Sequence, residues 1–235
     1  MTETTGDTPQ DIPATLLEAA LVHVPFDGWS EATFRAAIRD AGIDPVVAQA
    51  VVPRGALDLA MLYHERADAE MRRRLNAEPM MGLKIREKIT RAVRTRIEVI
   101  DDKEAVRRAT TLFALPHHAG EGARMLWSTA DQIWEAAGDT SRDVNWYTKR
   151  ATLSGVYSAT VLYWLGDDSH ANQATWEFLD RRIEDVMRIE KAKAQMRDNP
   201  VLKRVFAGPS WVLGRIKAPN RAPRSDVPGR WSGPT

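Results

Sequence analysis

The chain has 235 residues, and its 33 Lys and Arg against 32 Asp and Glu give a formal net charge of +1, so the molecule as a whole offers no strong field to nucleic acid. That length can bury one large core or two small ones, and the absence of cysteine excludes disulfides, thiol catalysis and cysteine-based zinc or iron–sulfur sites. Met1 to Gln10 is polar and acidic, without the apolar core of a signal peptide or the arginines of a transit peptide, and no window reaches the roughly 20 apolar residues of a membrane span; this predicts residence in the cytosol.

The first ten residues read as disordered. A helix is expected from Pro13 through Leu16, Leu17, Ala20 and Leu21, broken by Pro25-Phe26-Asp27-Gly28-Trp29-Ser30. Ser30, with Thr33 three residues on, can cap a helix carrying Phe34, Ala37 and Ile38. Ala41-Gly42-Ile43 then turns the chain into a short helix after Asp44-Pro45. Two short helices across a glycine turn form a helix-turn-helix pattern. Its second helix, Asp44 to Val52, is a poor reader of DNA. Gln49 is the base-reading candidate, and Asp44 would face phosphate.

Further helices are expected from Ala56 to about Arg74, with a break near Asn76 and Pro79, and from Leu83 to Val99. The second of these sets Ile85, Ile89, Val93 and Ile97 four apart on one stripe, with Lys84, Arg86, Arg91 and Arg94 on a solvated face. Later helices are expected over Asp102–Phe113, Gly122–Ala137, Trp146–Leu165 and Ser169–Arg197. Asp139, Thr140 and Ser141 supply N-cap oxygens before the third, and Gly166-Asp167-Asp168-Ser169 ends it and caps the fourth. Without strand-like alternation, the fold class is all-α.

Catalytic patterns are missing. His117 and His118 are adjacent and point apart on most backbones, no Glu-x-x-His pair occurs, and there is no phosphate loop, nucleophile elbow or dinucleotide fingerprint. The expectation is a non-catalytic protein with no metal and no cofactor.

Two segments point elsewhere. Asp143-Val144-Asn145-Trp146-Tyr147-Thr148-Lys149-Arg150 places two adjacent aromatics among charges at the start of an apolar helix, a composition suited to a binding surface. Near the C-terminus, Val201, Leu202, Val205, Phe206, Pro209, Val212, Leu213 and Ile216 fall within an arc of about 140 degrees at helical spacing. Lys203, Arg204, Arg215 and Lys217 fall outside that arc, and Trp211 lies near the polar side. From Asn199 to Thr235 seven basic residues stand against Asp226, a balance of +6, which suits anionic headgroups.

Asp143 to Arg150, the apolar helix after it and Trp176-Glu177-Phe178-Leu179-Asp180-Arg181-Arg182 together resemble the ubiquinone (coenzyme Q) biosynthesis accessory protein family. The resemblance covers roughly residues 12 to 197. It implies a TetR-like helical fold in which the helix-turn-helix is degenerate, with no DNA function, and a body that binds an isoprenoid or quinone lipid. The implied lining is Met80, Met81, Ile85, Ile89, Leu112, Phe113, Leu126, Trp127, Ile133, Trp134, Leu153, Val156 and Tyr157, around one cavity. It further implies that Asp143, Trp146, Tyr147 and Arg150 form a surface patch for the pathway's di-iron hydroxylase. Val201, Leu202, Lys203, Arg204, Val205, Phe206, Trp211, Val212, Leu213, Arg215, Ile216 and Lys217 would dock on the cytoplasmic face of the inner membrane, making the protein peripheral there. Without that likeness the lining residues read first as close-packed core, and the alternative for the C-terminal segment is a last helix folded on the body.

The expected organisation is a disordered N-terminus (1–10), a degenerate helix-turn-helix region (11–75), a lipid-binding and dimerisation body (76–198), an amphipathic helix (199–218) and a disordered tail (219–235). The homodimer is expected to form through helices near 146–165 and 169–197. A ligand-responsive transcription regulator is the alternative.

Overall fold

The computed structural model describes residues 11–78 and 80–198. Among them the chain forms α1 (Ile12–Asp27), α2 (Glu31–Ala41), α3 (Pro45–Val51), α4 (Ala56–Ala77), α5 (Ile85–Glu98), α6 (Lys103–Phe113), α7 (Ala119–Ala136), α8 (Val144–Leu165) and α9 (Gln173–Asp198), and no strand. The expected termini 1–10 and 219–235 and the amphipathic segment 199–218 lie outside the described residues.

Side-chain oxygens start most of these helices. Asp11, Ser30, Asp44, Asp102 and Asp143 each accept a hydrogen bond from a first-turn backbone N–H that has no helical partner. Three local expectations fail. Pro25 does not break the first helix, which runs on to Asp27, because a proline in the final turn removes one N–H and Gly28 still closes on the Val24 carbonyl. The cap of α8 is Asp143, and Asp139 is turned to other partners described below. The last long helix begins at Gln173 because Ala171 and Asn172, at φ 51° and 55°, are left-handed and end a single 3-10 turn. Asp167 supplies its cap, accepting from the Thr175 N–H at 2.8 Å and the Thr175 hydroxyl at 2.5 Å.

Two hydrophobic clusters organise the chain. Leu16, Leu17, Phe34, Leu59 and their neighbours pack α1 to α4 together with Ala105 of α6. Met71, Val93, Ile97, Ile133, Leu153, Trp164 and Leu179 form the second, between α4, α5, α7, α8 and α9. Helix α4 is about 33 Å long at 1.5 Å per residue, and it enters both clusters, with Leu59 in one and Met71 in the other. It thereby couples the helix-turn-helix region to the body.

Helices α2 and α3 do follow one another across the left-handed Gly42 turn, and the second has little to offer a base edge. Helix α3 has seven residues, none basic; Val46, Val47 and Val51 are exposed, and the Gln49 side-chain amide donates to the Pro53 carbonyl at 2.7 Å. Among the described residues no single helix is long and apolar enough to cross a bilayer.

Candidate functional site

Helix α8 separates two cavities. Adjacent residues on a helix differ by about 100 degrees, so Leu153 and Val156 face one side while Tyr157 and Val161 face the other. The first cavity, about 390 Å³, lies between α4, α5, α6, α7 and α8 and is walled largely by Ala60, Ala67, Val106, Phe113, Leu126, Tyr157 and Val161. The second, about 320 Å³, is bounded by Ile85, Ile89, Trp134, Leu153, Val156, Ile183 and Met187. Close approach of α6 to α7 sets one wall of the first: a Cβ on Gly122 would stand 3.0 Å from that of Phe113.

The thirteen residues expected around one cavity are therefore divided. Phe113, Leu126 and Tyr157 line the first cavity, and Ile85, Ile89, Trp134, Leu153 and Val156 line the second. Met80 and Ile133 are buried in the body core, and Leu112 packs against the N-terminal cluster. Trp127 joins the aromatic pair of α8. Met81 is 89% exposed, because the turn from Met80 to Leu83, with Gly82 at φ 84°, holds it outside the body.

A buried polar network that composition did not reveal stands beside the first cavity. Arg96 is 1% exposed and donates through Nε to Asp68 at 2.5 Å, and through Nη2 to the His64 carbonyl at 3.1 Å and to His64 Nδ1 at 3.3 Å. An acceptor at Nδ1 leaves the proton on Nε2, which lies 2.8 Å from the Thr129 hydroxyl. That hydroxyl is 3.0 Å from the Asp68 carboxylate, to which Gln132 also donates. Burial, with Arg96 adjacent, pushes the His64 imidazole down to about 4, so it is neutral at physiological pH. One signal was available in the sequence: Arg96 lies three residues after Val93 and seven after Ile89, on the apolar stripe of α5.

The aromatic patch is built at the N-terminal end of α8. Trp146 and Tyr147 meet edge to face with centroids 4.8 Å apart, Trp127 of α7 is 5.8 Å from Trp146 and 6.3 Å from Tyr147, and all three are half-buried. Asp143 is exposed and caps the helix below them. Arg150 departs from expectation: it is 1% exposed and underlies the patch, with its guanidinium carbon 4.1 Å from the Trp146 ring centroid. Its charge is met by Asp131 at 2.5 Å and Asp139 at 3.1 Å. Asp139 also accepts from Lys149 at 2.8 Å and from Ser141. Despite the opposing cost of burial, these hydrogen bonds lower the carboxyl to about 2.

His117 and His118 do not diverge as expected. Their rings meet edge-on with centroids 4.1 Å apart, in the turn between α6 and α7. Among the described residues no cluster of three His, Asp or Glu has metal-site geometry.

The arrangement of helices matches that in the crystal structure of the TetR transcriptional regulator from Nitrosomonas europaea ATCC 19718 with a TM-score of 0.61 at 16% identity, over 74% of this chain and 96% of that one. The class is thus an all-helical protein of TetR-like fold, a likeness of architecture alone at that identity. Residues 119–190, which carry α7, the aromatic patch, α8 and most of α9, match the COQ9 family. The mitochondrial ubiquinone biosynthesis proteins COQ9 of Bos taurus and Drosophila melanogaster are each 30% identical to the chain, over 77% and 78% of it. The Homo sapiens protein is 29% identical over 77%. The chain is similar to these COQ9 ubiquinone biosynthesis proteins over 58% to 59% of their length.

Proposed function

We propose that the chain is a non-catalytic accessory protein of ubiquinone biosynthesis that takes an isoprenoid or quinone lipid into its body and presents it to the pathway's di-iron hydroxylase at the membrane surface. The observation that carries this reading is the first cavity. Its volume of about 390 Å³ falls in the usual range of small-ligand sites, and most of its wall is apolar. Such a wall gains on the order of 0.8 kcal/mol for each CH₂ it removes from water, which is enough to hold a short isoprenoid segment.

The aromatic patch is the proposed hydroxylase surface. Trp127, Trp146 and Tyr147 offer rigid, half-buried rings with little rotamer entropy to lose, held from below by Arg150. A homodimer through α8 and α9 is supported by Tyr163 and Met187, apolar side chains that α8 and α9 leave exposed. Membrane docking rests on the sequence pattern of residues 201–217, with its apolar arc and basic flanks. No basic side chain on α3 favours the alternative reading as a transcription regulator.

Native mass spectrometry of the purified full chain, followed by organic extraction, tests the carrier reading. The expected result is a dimer with a co-purified isoprenoid or quinone. An empty protein that also refuses added quinone precursors would overturn it.

A further inference from the structure

The first cavity has a mouth and a floor of different character. At the mouth, by the turn between α6 and α7, small exposed side chains at Ala114, Ala119 and Ala123 stand near Leu162, which is 55% exposed. At the floor are Arg96 and Tyr157, 1% and 3% exposed. Both side chains hold a donor in reserve. Arg96 spends Nε and Nη2 on Asp68 and His64, and its Nη1 makes no hydrogen bond among the described residues. The Tyr157 hydroxyl makes none either, although its ring lies under the Arg96 guanidinium at 5.8 Å. Burial pushes that hydroxyl up to about 12, so it keeps its proton across the physiological range.

Donors that line an apolar cavity and have no protein acceptor are free to bond an oxygen that enters it. We propose that the Arg96 guanidinium and Tyr157 hydroxyl form a recognition point for a neutral acceptor oxygen, such as a quinone or ester carbonyl, on an otherwise apolar ligand that enters head first. Charge selects the neutral form. Arg96 is already balanced by Asp68 at 2.5 Å, and His64 carries no charge, so a carboxylate would bring an uncompensated negative charge into a buried site. The ligand's hydrocarbon tail would then trail past Val161 and Phe113 to the mouth.

This inference rests on the carrier reading and adds orientation and head-group chemistry to it. It is tested by calorimetric titration of delipidated full-length protein with three probes of matched tail: a decyl-substituted benzoquinone, decylbenzene and 4-decylbenzoate. The quinone is expected to bind tightest and the benzoate weakest. Tyr157→Phe removes only the unpartnered hydroxyl, so the fold is retained, and the quinone should lose about 2- to 10-fold in affinity while decylbenzene is unchanged, the effect of one hydrogen bond. Equal binding of quinone and decylbenzene, a preference for benzoate, or an unchanged quinone affinity in Tyr157→Phe would each overturn the proposal and leave the carrier reading standing. Refusal of all three probes would overturn both.

Discussion

Arg150 lies beneath Trp146, its guanidinium carbon 4.1 Å from the ring centroid, while two carboxylates from different segments, Asp131 of α7 and Asp139 of the following loop, hold it from the other side. One cation thereby joins α7, the loop and α8 and fixes the plane on which the exposed edge of the patch rests.

Removing that cation breaks the centre of a largely buried ion-pair network, in which Asp139 keeps only Lys149 and Ser141. Arg150→Ala is expected to destabilise the fold by about 3 to 5 kcal/mol, the usual cost of breaking a buried ion pair from one side. Trp146→Ala should cost less, since the ring is half-buried, and on the proposed docking role of the patch should chiefly weaken capture of the hydroxylase. Urea denaturation of both variants, beside a pull-down with the hydroxylase, separates the supporting residue from the contacting one.

Blocking the mouth of the first cavity should separate ligand uptake from stability. Ala123 is exposed and lines that cavity, so Ala123→Trp is expected to change the unfolding free energy by no more than about 0.5 kcal/mol. On the proposed carrier role, the same substitution should strip co-purifying lipid, read by extraction and mass spectrometry. Retention of lipid at the parental level would move the binding site to the second cavity.

Gly55 precedes α4 at φ 57° and ψ −130°, a conformation open essentially to glycine, and a Cβ there would stand 3.1 Å from the Phe34 ring. Gly55→Ala is expected to cost about 1 to 3 kcal/mol, measured by thermal unfolding. Gly42→Ala, also at positive φ but with open space around it, should cost less.

Stability should fall in two acid steps. The His64 imidazole has its folded pKa lowered from 6.5 to about 4, so the unfolded chain takes up the proton first; stability is full above pH 6.5 and declines as pH falls from there towards 4. Asp139, lowered from 3.8 to about 2, adds a loss between those values as its contacts with Lys149, Ser141 and Arg150 are neutralised. Urea midpoints measured from pH 8 to 3 should show the first decline, and His64→Gln should remove most of it.

Helical class, the order of the helices and most of their starts follow from the sequence alone, because those signals are local. A Ser30 or Asp102 oxygen reaches N–H groups two or three residues away, and the four-residue spacing of Ile89, Val93 and Ile97 specifies a buried stripe whatever it packs against. The aromatic patch was also legible, since Trp146 and Tyr147 are neighbours in the chain. What only the tertiary structure decided are relations across long sequence separations. Arg96 looks like one base in a basic helix until α4 brings Asp68 to it from 28 residues away. Arg150 looks like a surface charge until Asp131 and Asp139 close around it. Those apolar residues expected to surround one ligand that do line a cavity are divided between two by the body of α8, whose successive side chains must diverge. Periodicity can say that a residue is buried; whether it is buried against another side chain, a charge or an empty cavity depends on what the rest of the chain places opposite.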